Sequence, residues 1–193
     1  IIGAGTLGLL TLAAVAHGYD ADHPQEVVMA ARYPHQHGIA KMIAAAGGIT
    51  KFTVTTPPKL ESTVRVLTRS HLAGDQLTCG FDQVIDCVGS SESITQAMHV
   101  VAPGGEITLV GMPGHVSLDL TSIWHREVAL RGRYAYERAD FDTAIEIVRR
   151  FDLGRLVSAT YRLDDHVDAI AHAASAGRRG AIKIAFDLRE PSR

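Results

Sequence analysis

The chain alternates short apolar runs with segments whose apolar residues recur every three or four positions. From Thr6 to Ala16 nearly every residue is apolar or small, which predicts a helix buried on most sides. A polar loop, Gly18 to Gln25, carries Pro24. The run Val27-Val28-Met29-Ala30-Ala31, within Glu26 to Ala31, is short and unbroken, the pattern of a central parallel strand covered on both faces. Ile39, Met42, Ile43 and Ala46 fall at i, i+3, i+4 and i+7, predicting a helix over Gln36 to Ala46 that Gly47-Gly48 ends. Phe52 to Thr55 is β-prone and is closed by Pro57-Pro58.

The stretch Lys59 to Cys79 is less legible and holds a short helix at Leu60 to Leu67 and a loop through Gly74. A strand follows within Phe81 to Val88, and Gly89-Ser90-Ser91 turns it into a helix bearing Ile94, Ala97, Met98 and Val101. Pro103-Gly104-Gly105 is expected to stop that helix. Glu106 to Val110 reads as the next strand, left through Gly111-Met112-Pro113-Gly114. A loop or short helix near Trp124 precedes a sixth strand from Glu127 to Gly132. Asp140 is expected to cap a helix with Phe141, Ala144, Ile145 and Val148 along one side. Leu156 to Leu163 is β-prone, and a helix from Asp164 or Asp165 carries Val167, Ile170, Ala171 and Ala174. Ala181 to Phe186 reads as a closing strand. Strands alternating with helices, with glycine turns at the strands' carboxyl ends, predict an α/β fold: a doubly wound parallel sheet in a three-layer αβα sandwich.

Composition narrows the partners. At 193 residues, 46% hydrophobic and 21% charged, the chain can bury one full core, and its formal net charge of -2 favours neither nucleic acid nor a membrane surface. The two cysteines, Cys79 and Cys87, make no disulfide framework, so a reducing compartment, the cytoplasm, is expected. The ten histidines read as surface or capping residues. His35 and His37 lie close together but lack a third ligand nearby, and no metal is expected in this chain.

The candidate chemistry begins at the first residues. Gly3, Gly5 and Gly8 form a G-x-G-x-x-G step between an apolar stub and an apolar helix. In a dinucleotide site the first glycine makes the tight turn, the second lets backbone approach a pyrophosphate, and the third lets helix and strand pack closely. Alone, the pattern also fits an ordinary tight turn. Only Ile1 and Ile2 precede it, against about 5 or 6 residues for a usual strand, so a truncated first strand is expected.

Further motifs stand in order behind it: Asp86-Cys87-Val88-Gly89, Pro103-Gly104-Gly105 with Val110-Gly111, Arg126 to Gly132, and Gly180-Ala181-Ile182-Lys183-Ile184. In this combination the chain resembles the coenzyme-binding half of the medium-chain dehydrogenase/reductases, the group containing the zinc-dependent alcohol dehydrogenases. The resemblance implies a Rossmann-type core over residues 1–135 and closing helices and strands over 136–193. It also implies an upstream domain holding most of the substrate pocket and the catalytic zinc ligands, with zinc-free reductases of the same family as the alternative, and a dimer or tetramer paired through the edge near Val128–Gly132. The activity implied is hydride transfer between a nicotinamide and an alcohol, aldehyde or ketone, with this chain by itself inactive and contributing no catalytic residue. A non-catalytic dinucleotide-binding module and a methyltransferase-like ligand domain are the alternatives.

Coenzyme contacts follow from these positions. Gly5 and the amides of Thr6 and Leu7 are expected to face the pyrophosphate. At the end of the second strand, where an acid selects NAD, stand Ala31 and then Arg32, whose guanidinium suits the extra phosphate of NADP. NADP is therefore preferred over NAD. Tyr33 lies against the adenine or packs on protein. The resemblance puts Cys87, Val88 and Gly89 beside the adenosine and Val110 and Gly111 toward the nicotinamide. Lys183 matches a basic position that reaches the pyrophosphate, or is an ordinary exposed lysine.

Overall fold

The structure, a computed structural model, describes residues 1–23, 25–74, 76–112 and 114–189; the expected loop residues Pro24 and Pro113 lie outside them. Helix α1 spans Thr6–His17, strand β1 Val27–Ala30, α2 Pro34–Ala46 and β2 Phe52–Thr55. They are followed by α3 at Leu60–Leu67 and a small antiparallel pair, β3 Leu72–Ala73 with β4 Gln76–Leu77. The second half holds β5 Phe81–Asp86, α4 Ser91–Val100, β6 Val101–Leu109, α5 Thr121–Arg126 and β7 Ala129–Gly132. Helix α6 at Arg138–Arg150, β8 at Val157–Tyr161, α7 at His166–Ala174 and β9 at Lys183–Phe186 complete the chain.

β1 pairs with β2, and β5-β6-β7 form a second parallel set. Ile2 joins the two, because it pairs in parallel with both Ala30 and Asp86. The main sheet therefore runs β2-β1-Ile2-β5-β6-β7. Chain order proceeds outward from Ile2 first in one direction and then in the other, so Ile2 marks the switch point of a doubly wound sheet.

β1 shows why its sequence is an unbroken apolar run. Val27 and Met29 enter a core with Leu9, Leu12 and Ala13 of α1 and Ala40 and Ile43 of α2. Val28 and Ala30, pointing the other way, pack with Leu60 and Val64 of α3 and Ile94 and Ala97 of α4. Leu9 and Leu12 are fully buried, each contributing about 2 kcal/mol of transfer free energy. The three-layer expectation holds.

Several local expectations change. Helix α4 ends at Val100, and Val101, instead of closing a helical face, is already extended and opens β6. Pro103-Gly104-Gly105 lies inside that strand. It is absorbed as a bulge, with the β5–β6 register moving from Phe81↔Val101 to Gln83↔Glu106. Glu137, not Asp140, is the N-cap of α6; Asp140 closes the capping box by accepting from the Glu137 amide at 2.9 Å. Phe141, Ala144, Ile145 and Val148 are exposed, and α6 meets the core through Ile147. On α7 only Ala169 is buried, while Val167, Ile170, Ala171 and Ala174 face outward. β8 and β9 pair in parallel as a separate two-stranded sheet, and this tail docks on the α1–α2 core through Phe151, Leu153, Leu156 and Ile182. No helix among the described residues is long and apolar enough to cross a membrane.

Candidate functional site

Three loops meet at the carboxyl ends of the central strands, and each glycine of the first loop has its own geometric reason. Gly3 has φ +92°, and a Cβ there would stand 2.6 Å from Val88 Cγ2. Gly8 is held so close to the first loop that a Cβ would overlap the Gly3 carbonyl oxygen. Gly5, the N-cap of α1, differs: an added Cβ meets nothing within 4 Å. No side chain caps this helix and no acid sits in its first turn. The amides of Thr6 and Leu7 thus belong to an uncapped helix start that opens outward, with the positive end of the helix dipole behind it.

The second loop is shaped by Asp86, which is fully buried. Its Oδ1 accepts from the amides of Val88 (2.8 Å) and Gly89 (3.2 Å), and its Oδ2 accepts from Ser93 Oγ (2.8 Å). The backbone carbonyl of Asp86 accepts from the amides of Val110 (2.9 Å) and Gly111 (3.1 Å), tying the third loop to the second. Gly111 must be glycine for this approach, since a Cβ would come within 2.5 Å of the Cys87 carbonyl. Cys87 is half-buried and its thiol donates to Thr11 Oγ1 at 3.4 Å; burial is the main reason its pKa is raised, with the Thr11 contact opposing. The carboxylate of Asp86 is spent on backbone and Ser93, so its geometry is that of a loop former.

At the end of β1, Ala31 is fully buried and its amide donates to the Thr55 carbonyl. Its own carbonyl accepts from His37 Nε2 at 3.0 Å, which gives His37 an anchoring role that its spacing did not reveal. Arg32 is exposed, with no ion-pair or hydrogen-bond partner among the described residues. Tyr33 opens α2, and its ring stacks on His35 with centroids 5.8 Å apart. The same ring lies against Gly177, where a Cβ would overlap it. Lys183 is exposed at the start of β9; the residue before it, Ile182, accepts from Thr6 Oγ1 at 3.0 Å. The tail is thereby fastened to the mouth of the glycine loop, a contact no local pattern announces.

Among the described residues no three His, Cys, Asp or Glu side chains gather as a group that could hold a metal ion. Cys79 is exposed in its loop. The described side chains therefore do not fit a zinc centre.

The model of the zinc-binding dehydrogenase family matches residues 10–150. A putative D-xylulose reductase of Rhizobium meliloti is 30% identical over 196 residues, covering 97% of this chain and 50% of that protein. The D-xylulose reductase of Morganella morganii is 27% identical, covering 90% and 47%. Among solved structures, L-idonate 5-dehydrogenase from Escherichia coli superposes with a TM-score of 0.71 at 19% identity, covering 97% of this chain and 49% of that one. A putative zinc-binding dehydrogenase from Sinorhizobium meliloti, bound to NADP, gives 0.68 at 20% identity, covering 96% and 51%. The chain spans about half the length of the relatives it matches. The ordered strand-end motifs, the doubly wound sheet and these matches agree: the chain belongs to the zinc-binding dehydrogenase family.

Proposed function

We propose that this chain is the coenzyme-binding part of an NAD(P)-dependent oxidoreductase, with NADP the preferred coenzyme. The observation that carries the reading is the uncapped start of α1 at Gly5, open to an anion and set at the switch point of the sheet. Gly5 and the amides of Thr6 and Leu7 take the pyrophosphate, with Lys183 beside them. Cys87, Val88 and Gly89 flank the adenosine, and Val110 and Gly111 lie toward the nicotinamide. Ala31 offers no carboxylate to repel a 2′-phosphate, and Arg32 supplies an exposed guanidinium next to it.

The bound coenzyme supplies hydride transfer; these residues hold and orient it. By analogy with the named relatives, the substrate is an alcohol or ketone of the polyol class, presented by a part of the protein outside residues 1–193. Residues 1–135 form the core of the domain and 136–193 close it. Its setting is the cytoplasm, and pairing of two copies through the exposed edge strand β7 gives the assembly.

Calorimetric titration with NADPH, NADH and S-adenosylmethionine tests the reading. NADPH is expected to bind most tightly and S-adenosylmethionine not at all. R32A is expected to weaken NADPH about tenfold while leaving NADH nearly unchanged. Binding of neither nicotinamide coenzyme would overturn the function, and tight NADH with no detectable NADPH would overturn the preference.

A further inference from the structure

The contact between Tyr33 and Gly177 joins two basic segments that are far apart in the chain. Arg32 precedes Tyr33, and Arg178 and Arg179 follow Gly177; successive Cα atoms are about 3.8 Å apart. All three arginines are exposed, and none has a side-chain hydrogen bond or ion pair among the described residues. Residues 31–38 and 175–183 together carry Arg32, Arg178, Arg179 and Lys183 and not one carboxylate, in a chain whose formal net charge is -2. The two segments that meet at Tyr33 and Gly177 thus carry four cations and no acid.

The course of the tail gives those segments a direction. Gly177 lies against the tyrosine at the end of β1, and five residues later the Ile182 carbonyl accepts from Thr6 at the start of α1. The intervening segment bends at Gly180, φ +74°, and runs from the strand end to which the coenzyme reading assigns the adenosine ribose to the helix start to which it assigns the pyrophosphate. Close approach at the first end requires glycine at 177, since any side chain would displace the Tyr33 ring. Positive charge is left at both ends of the run: Arg178 and Arg179 at one, Lys183 at the other.

Resting on the nicotinamide-coenzyme reading above, we propose that Arg178 and Arg179 oppose Arg32 across the Tyr33–Gly177 contact and with it form the clamp for the 2′-phosphate of NADP. Arg32 alone is a single exposed cation, whose attraction for a phosphate water and salt weaken. Guanidiniums approaching a phosphate monoester from two segments provide several planar donors and a concentrated positive field, which makes the selection for a 2′-phosphate sharper than one residue can. They are specificity residues: they touch the part of the coenzyme that distinguishes NADP from NAD and play no part in hydride transfer.

The test titrates the 193-residue protein and its R32A, R178A/R179A and R178Q/R179Q variants with NADPH, NADH and adenosine 2′,5′-bisphosphate. Both double variants are expected to lose at least about tenfold in affinity for NADPH and for the bisphosphate, with NADH within about twofold of the parent. The unchanged NADH affinity reports that the fold is intact. The salt dependence of NADPH binding is also expected to become shallower in the double variants. If R32A lowers the NADPH-to-NADH ratio but both double variants leave it unchanged, the clamp is overturned while the coenzyme reading stands. Equal losses for NADPH and NADH would also overturn it, by placing the two arginines on the shared part of the coenzyme. A parent protein that binds NADH and rejects NADPH would remove the preference on which the clamp rests.

Discussion

The carbonyl oxygen of Gly3 occupies the space that a side chain at Gly8 would need. Two residues in the same short motif therefore face opposite demands: Gly8 is glycine because the protein is packed there, and Gly5 because nothing is. Substitution separates the two. G8A forces the helix start off the first loop and is expected to lose about 3 kcal/mol in urea unfolding. G5A, at φ -75°, suits alanine and is expected to keep parental stability while weakening coenzyme binding in calorimetry. Equal stability of the two variants would contradict the assignment.

Asp86 organises the second loop from inside the protein. D86A leaves the Val88 and Gly89 amides without their acceptor and takes from Ser93 Oγ one of its two, the Ser90 carbonyl remaining, at an expected cost of about 3 kcal/mol in chemical denaturation. D86N keeps an acceptor oxygen and should fall between D86A and the parent. A D86A protein as stable as the parent would show that the loop holds its shape by other means.

Arg126 is a buried cation whose described partners are carbonyls rather than an acid. Its guanidinium donates to the carbonyls of Met98 (2.7 Å), Val101 (2.5 Å) and Leu77 (3.5 Å), pinning α4, the start of β6 and β4 together. R126M preserves much of the side-chain volume but leaves those acceptors unmatched, so a loss of about 2 to 3 kcal/mol is expected by thermal or urea unfolding. A change below about 0.5 kcal/mol would mean that water replaces the guanidinium without penalty.

The two thiols are expected to react at different rates. Cys79 is exposed, whereas burial raises the pKa of Cys87 and keeps its reactive thiolate scarce near neutral pH. Iodoacetamide should therefore label Cys79 first, as read by peptide mass spectrometry. Because a raised pKa moves ionisation to more alkaline solution, raising the pH should increase labelling of Cys87. Equal labelling of both thiols near neutral pH would refute the burial argument.

Much of the layered fold was legible because its signals are local. Glu26 to Ala31 reads as a strand covered on both faces from five consecutive apolar residues, Val27 to Ala31, and both cores are present. Pro103-Gly104-Gly105 was misleading for a physical reason. Proline and glycine report a break in regular backbone, but a strand can absorb that break as a bulge against its neighbour, as β6 does against β5. Periodicity likewise identified apolar rows on α6 and α7 without revealing what covers them, and both rows are exposed. At the candidate site Gly3, Gly5, Gly8 and Arg32 stood out because turn geometry and charge belong to single residues. Neither the His37 anchor nor the Gly177 contact had such a mark.

Local chemistry, then, is carried by the order of residues: which segments are strands or helices, where the backbone needs glycine, and that a cation, Arg32, follows β1. The association of distant segments is decided by packing. Thr6 and Ile182 are 176 positions apart, and their hydrogen bond depends on the tail docking through Phe151, Leu153, Leu156 and Ile182. Tyr33 meets Gly177 in the same way. Such contacts arise from the balance of burial and chain entropy over the whole molecule, which no short stretch of residues encodes.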